Sequence, residues 1–277
     1  MPVQEVVFKN SSEHELRGVM KHPGILEEGT RFPAVLVLHT FSANKEHELV
    51  VNIANTIYPY GYATLRFDFH GHGESGGEFQ DITIGQKIDD VRSAITFLQQ
   101  QPMVDPDRIA VIGHGMGADV AILAAGQDER IKCLVVQGAR SNLEEHVTGV
   151  FSPDEIKEYQ TRGYLTHHTW GRMNKSFFDN FRRYDIIEEI KKVRCPILIV
   201  HGRNDFRVLW TNARNLYFAA NEPKRLEIVD MADHWFRDPQ HRQFFFDLMI
   251  KWLNHWIKGM MHYEAETTER RSRRRFV

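Results

Sequence analysis

The sequence has few cysteines, almost no net charge and no long apolar run, and each shortage excludes a class of protein. Only two of its 277 residues are cysteines, Cys133 and Cys195, so a disulfide scaffold is excluded and we interpret both as small buried hydrophobes. Lys plus Arg (35) nearly balances Asp plus Glu (37), which leaves no basic footprint for nucleic acid and no general attraction to a membrane. No apolar stretch approaches the roughly 20 residues that span a bilayer. The N-terminus also shows no signal-peptide pattern, so we expect a cytoplasmic protein.

Motifs for cofactors and metals are equally scarce. The 15 histidines sit mostly singly among charged residues, without an HExxH pair or a Cys/His ligand spacing. Neither a phosphate-binding GxxxxGK[ST] loop nor a GxGxxG motif opening a βαβ unit is present. We therefore expect no metal and no cofactor.

What the chain does have is the composition of a folded protein. Hydrophobic residues make up 42% and charged residues 26%, which excludes disorder over the whole length. The exception is the stretch 261–277, whose end carries five arginines in ERRSRRRFV and shows no periodicity. We expect it to form a disordered basic tail, and favour this over a tail that contacts nucleic acid or an anionic surface.

Strand and helix patterns alternate along most of the chain. Strands are predicted at 3–8, 15–21, 34–39, 62–69, 108–112, 131–137, 196–201 and 226–229. Helices are predicted near 49–57 and at 84–100, 118–125, 209–219 and 239–258. Repeated strand–helix–strand units predict an α/β fold with a mostly parallel central sheet flanked by helices.

One segment breaks this rhythm. Residues 141–190 follow one buried strand and precede the next, but they are far longer than the usual connection of about 2–6 residues. They combine helix signals with many aromatic residues. We interpret them as a cap inserted into a core formed by 1–140 and 191–260, while an ordinary extra helix pair fits the pattern equally well.

The most informative motif is Gly113-His114-Gly115-Met116-Gly117, between the strand at 108–112 and a helix of small residues. This is the setting of a nucleophile elbow, G-x-S-x-G, in which a sharp strand-to-helix turn lifts a side chain above the sheet. Glycines flank that turn because larger side chains would clash with the neighbouring strand and helix.

The chain closely resembles the α/β-hydrolase fold from residue 3 to about 258, with one departure. Gly115 stands where the family carries its nucleophilic serine. Asp205 and His234 follow the strands after which the fold places its acid and its histidine, and the order elbow, acid, histidine is that of the family. The resemblance implies backbone N–H groups of Phe41 and Met116 as oxyanion donors.

Two loops indicate which branch of this fold family the chain resembles most. The loop His39-Thr40-Phe41 is similar to the oxyanion loop of the fold, with Thr40 where glycine is common. Together with RFDFHGHGESG, residues 66–76, it most resembles the cinnamoyl/feruloyl esterase-like branch of serine hydrolases. This resemblance implies a small-molecule ester as substrate or ligand.

Each candidate residue also has a simpler interpretation. Asp205 could cap the next helix and His234 could be a core histidine, but their joint order after successive strands favours the remnant of a triad. His114 is expected to pack inward, Ser75 to be a turn residue, and Asp68 to brace its loop.

Three functions remain open from the residues alone. The first is an esterase whose serine is replaced by Gly115, through engineering or natural drift, and which is therefore inactive or much weakened. The second is a ligand-binding protein on a hydrolase fold. The third is a water-mediated or lyase-type enzyme that uses His234 and Asp205 as a general base. The residues also leave open whether the substrate is a peptide or a thioester and whether the chain forms a homodimer through the cap. The aromatic residues of the cap could also serve only to pack it onto the core.

Overall fold

The computed structural model describes residues 3–24, 29–146 and 151–260, so the predicted basic tail at 261–277 lies outside the described residues. Its centre is an eight-stranded, mostly parallel sheet, which confirms the predicted α/β class. The strands are β1 (Val3–Lys9), β2 (Glu15–Lys21), β3 (Phe32–Leu38), β4 (Ala63–Phe67), β5 (Val104–His114), β6 (Ile131–Gln137), β9 (Ile197–Gly202) and β10 (Lys224–Val229), and a separate hairpin is formed by β7 (Tyr164–His167) and β8 (Gly171–Asn174).

The strand order in the sheet is β1-β2-β4-β3-β5-β6-β9-β10. β2 is antiparallel to both of its neighbours, and every other pair in the sheet beyond it is parallel. The parallel strands that were predicted from unbroken apolar runs are covered on both faces, and all five residues of β4 are buried. The carboxyl ends of β3, β5, β6, β9 and β10 therefore lie along one edge of the sheet.

Helices cover both faces of this sheet. They are α1 (Glu48–Ile57), α2 (Ile84–Gln99), α3 (Met116–Ala125), α4 (Pro153–Arg162), α5 (Lys175–Phe181), α6 (Ile186–Ile190), α7 (Thr211–Ala219) and α8 (Pro239–Lys258). The apolar sides of α1 and α8 form one core layer with the sheet, and α2, α3, α6 and α7 contribute to the layer on the other face. Within the described residues, no helix is both long and apolar enough to cross a membrane.

The ends of the long helices follow from local chemistry. α2 begins after Thr83, whose hydroxyl accepts the N–H of Gln86 at 3.1 Å. α8 begins after Asp238, whose carboxylate accepts two N–H groups of the first turn, and it ends at Gly259 with φ 67°. These caps fix α8 at the boundaries that the sequence pattern predicts.

The residues between β6 and β9 form the segment that departs from the strand–helix rhythm. Its described parts, 141–146 and 151–190, are called the insert below and contain α4, the β7–β8 hairpin, α5 and α6. A capping box between Ser152 and Glu155 starts α4, as the helix signals there predict. The hairpin was not predicted, because its strands are only four residues long.

Candidate active site

Gly115 lies at the turn between β5 and α3, with φ 55° and ψ −123°. Residues other than glycine rarely adopt this backbone conformation. A Cβ on Gly113 would lie 2.3 Å from the Gly117 carbonyl oxygen, and one on Gly117 would lie 2.5 Å from that of His39. The flanking glycines therefore allow α3 to approach the sheet closely, as the elbow pattern requires.

Asp205 follows β9 and is held from several sides. Its Oδ1 accepts the backbone N–H groups of Arg207 and Val208 at 2.9 and 2.8 Å. Its Oδ2 lies 2.6 Å from Nδ1 of His234 and 3.2 Å from Nε2 of His201. Burial alone would raise the pKa of Asp205, but hydrogen bonds from His201 and His234 hold this pKa well below its ordinary value. The carboxylate is therefore ionised at neutral pH.

His234 follows β10 and is directed at the elbow. Because its Nδ1 donates to Asp205, its Nε2 carries the lone pair, and this atom lies 3.4 Å from the place of a Cβ on Gly115. Burial lowers the pKa of His234 and the neighbouring Asp205 partly opposes that shift, so the ring is neutral at pH 7. The ring packs so closely on Gly138 that a Cβ there would lie 3.1 Å from Cε1 of His234.

Two residues that sequence reasoning did not assign to the site support His234. The Gln137 side chain donates from Nε2 to the backbone oxygen of His234 at 2.9 Å and bonds the ring of His114 through Oε1. His114 is buried, as expected, and its ring centroid lies 4.8 Å from those of both His234 and Trp235. Gln137 ends β6 beside the elbow, and its position at a strand end was the signal that could have identified it.

The oxyanion side of the site differs from the expected arrangement. The Met116 N–H, one of the two expected donors, donates to Oγ1 of Thr40 at 3.2 Å. The Phe41 N–H has no acceptor among the described residues. The Phe41 ring lies under the insert, with ring centroids 4.8 Å from Trp170 and 5.5 Å from Phe177. The aromatic residues of the insert therefore border the site and also pack the insert onto the core.

Asp68 and Ser75 have structural partners, as expected. Asp68 is fully buried and bonds both the backbone N–H and the Nζ of Lys45, at 2.6 and 2.7 Å. Ser75 donates from Oγ to the backbone oxygen of Asp68 at 2.6 Å and accepts the N–H of Arg17 at 2.9 Å. This loop braces the segment that leads into α1, and the Ser75 hydroxyl is engaged in these two hydrogen bonds.

Within the described residues, one cluster offers ligand atoms for a metal, and it lies in the insert rather than at the elbow. Atoms of Glu155, His167 and His168 lie within 4.8 Å of one another. Nδ1 of His167 already accepts the N–H of Thr169 at 3.1 Å, and Glu155 is held by the capping box of α4.

Residues 52–260 match the model of the prolyl oligopeptidase family. This chain belongs to the prolyl oligopeptidase family. It is also 30% identical, over 235 residues, to an uncharacterised 31.7 kDa protein from the traX-finO intergenic region of Escherichia coli, a match that covers 70% of this chain and 80% of the relative.

Solved α/β-hydrolases share the fold of this prolyl oligopeptidase family member. Est1E from Butyrivibrio proteoclasticus, solved with ferulic acid bound, superposes with a TM-score of 0.80 at 21% identity, over 91% of this chain and 99% of Est1E. The esterase domain of a Rhodothermus marinus protein gives a TM-score of 0.70 at 24% identity, over 93% of this chain and all of that domain. The expected resemblance to α/β-hydrolases, including feruloyl esterase-like members, is thus confirmed.

Proposed function

We propose that the chain binds a small-molecule carboxylic ester at the elbow, and that the usual acyl-enzyme route of its family is closed. The observation that carries this proposal is the 2.6 Å hydrogen bond between Asp205 and His234, with Nε2 of His234 aimed at Gly115. Since glycine has no hydroxyl, no acyl-enzyme forms at position 115. The intact base and the missing nucleophile together predict slow ester hydrolysis at most.

The remaining groups support attack by water. His234 Nε2 accepts a proton from a water molecule within hydrogen-bond reach of that atom while Asp205 fixes the tautomer of the ring. The hydroxide equivalent adds to the ester carbonyl carbon, the Phe41 N–H stabilises the oxyanion, and the alcohol leaves with the proton from His234. Triad deletions in serine proteases leave roughly 10³–10⁴-fold catalysis over water, which sets the scale expected here.

The insert supports an ester with an aromatic acyl group. Its aromatic residues pack around Phe41, which carries the candidate oxyanion donor, and we propose that the insert acts as the cap over the site. The ferulic acid in Est1E supports the same substrate class. Membership of a peptidase family makes a short peptide the second substrate class to assay.

A non-catalytic ligand-binding role is the second candidate, and one observation favours it. Thr40 already occupies the Met116 N–H, so one expected oxyanion donor is not available to a substrate. In that case the site would retain a ligand without turning it over.

We propose a cytoplasmic location for either role. Size-exclusion chromatography with light scattering would determine whether the chain is a homodimer.

The two roles are separated by assaying methyl ferulate and p-nitrophenyl butyrate with the unaltered chain, with His234→Ala and with Asp205→Asn. A hydrolase predicts a slow rate that falls at least tenfold in His234→Ala and whose pH profile reports one group, the His234 imidazole. If the rate of ester hydrolysis is the same in both variants as in the unaltered chain, turnover does not occur at this site. Saturable binding of ferulate, measured by calorimetry, without any turnover would support the binding role. Hydrolysis of a glycyl-prolyl p-nitroanilide tests whether the chain cleaves short peptides.

A further inference from the structure

The space above Gly115 is filled by a side chain from another loop. A Cβ on Gly115 would lie 2.3 Å from Oγ1 of Thr40 and 3.0 Å from its Cβ. Non-bonded carbon atoms prefer separations of about 3.5–4.0 Å, so a side chain at 115 and the side chain of Thr40 compete for one volume. His234 Nε2 lies 3.4 Å from the same point, which places this shared volume in front of the general base.

Thr40 is fixed in that position by its own backbone. Its carbonyl oxygen accepts the ring Nδ1–H of His39 at 2.8 Å and the N–H of Ala43 at 3.2 Å. Its hydroxyl accepts the Met116 N–H, and the residue is buried. The loop therefore cannot shift aside easily, and a β-branched side chain has few alternative rotamers. A serine at 115 needs Thr40 to give up its position.

We infer that Thr40 and Gly115 are a matched pair, in which the Thr40 side chain occupies the nucleophile's space and holds the Met116 oxyanion donor. Thr40 is thus a positioning residue that decides whether a nucleophile fits at the elbow. A serine at 115 alone does not restore the family's chemistry; Thr40 must be changed with it. This inference rests on the proposed function, because it takes the Asp205–His234 pair as competent.

The test is a set of variants treated with a fluorophosphonate probe, which reports on the site without depending on the natural substrate. In labelling, the serine oxygen forms a bond to phosphorus, fluoride leaves, and His234 takes the hydroxyl proton. The variants are Gly115→Ser, the double variant with Thr40→Gly, and a matched double variant with Thr40→Val, which removes the hydroxyl but keeps the volume. The rate is followed by intact mass, and the modified residue is identified by peptide mapping.

We expect the Thr40→Gly double variant to be labelled at position 115 roughly 10²-fold faster than Gly115→Ser, since a misplacement of about 1 Å costs an enzyme that much. The Thr40→Val double variant should stay as slow as Gly115→Ser, because valine fills the same space. Equal labelling of Gly115→Ser and the Thr40→Gly double variant would overturn the inference and leave the proposed function standing. No labelling in any folded serine variant would instead overturn the proposed function.

Folding is checked in the same set. If Gly115→Ser unfolds, the matched pair predicts that adding Thr40→Gly raises the unfolding midpoint again. A double variant that is no more stable than Gly115→Ser would overturn the inference by this second measurement.

Discussion

The two sides of the candidate site are supported to different degrees. The base side, His201, Asp205 and His234, is fixed by backbone N–H groups, by neighbouring rings and by the close approach of Gly138. The elbow side, Thr40, Gly115 and Met116, makes a sharp turn at Gly115, and the Thr40 side chain from another loop lies in the space next to that turn. The comparison teaches that, under the proposed function, a well-supported acid–histidine pair can lie beside an elbow that has no room for a nucleophilic side chain.

The largest effect is expected from Asp205→Ala on the base side. The substitution leaves the ring N–H of His234 and two backbone N–H groups without their acceptor, and we expect a loss of about 3–5 kcal/mol in the free energy of unfolding, since each buried donor left unpaired costs about 1–3 kcal/mol. Urea unfolding measures it. Asp205→Asn, which keeps an acceptor oxygen, is the control and should lose less. A loss below about 1 kcal/mol would mean that the base side is not the better supported one.

Gly115→Ala tests the elbow side. The backbone at φ 55° and ψ −123° is strained for alanine by about 1–3 kcal/mol, and the contact with Thr40 adds to that loss. The control is Gly115→Ala made in a Thr40→Gly background, each compared with its own parent, because it keeps the backbone strain at position 115 and removes the contact. If Gly115→Ala loses the same stability in both backgrounds in thermal unfolding, Thr40 is not a steric barrier.

Acid should weaken the loop that carries Thr40, through the buried ring of His39. Burial chiefly, with a contribution from Lys87, lowers the pKa of His39 to about 3, whereas Asp205 limits the shift of His234. Because the folded pKa is below the unfolded value near 6.5, the His39 contribution is complete above pH 6.5 and decreases as the pH falls towards 3. Between pH 6.5 and 5 this amounts to about 2 kcal/mol.

Urea unfolding at several pH values measures that loss, and His39→Asn provides the control because it removes the titrating ring. The variant should show a shallower pH dependence over this range. An unchanged slope would place the acid sensitivity elsewhere.

The smallest effect is expected from Thr40→Val. It removes only the hydroxyl that accepts the Met116 N–H, so we expect a loss of about 1 kcal/mol in the free energy of unfolding. Thr40→Ser keeps the acceptor and should stay close to the unaltered chain. A stability gain in Thr40→Val would contradict the hydrogen bond as a support of the elbow.

The layout of the sheet was predictable because its strands are unbroken apolar runs, and residues 131–137 match β6 at both ends. The long helix 239–258 was equally clear from its periodicity and its capping residues. The β7–β8 hairpin was missed, since four-residue strands carry too few residues to show a period.

The base side could be inferred from chain order, because Asp205 and His234 each follow a strand whose end lies at the same sheet edge. The contact between Thr40 and Gly115 could not, since it joins two loops that are 75 positions apart and depends on side-chain volume. His201 was predicted only as a strand end, and its bond to Asp205 depends on the turn after β9. Packing in three dimensions, not local pattern, decides such contacts.

Phe41 joins the insert to the candidate oxyanion site. Its backbone N–H is the expected oxyanion donor, while its ring lies against Trp170 and Phe177 of the insert. The ring and the N–H belong to one residue, so a ligand that displaced the Phe41 ring would also shift the peptide group expected to hold its carbonyl oxygen. Under the proposed function, Phe41 would therefore link the packing of the insert to the position of the oxyanion donor.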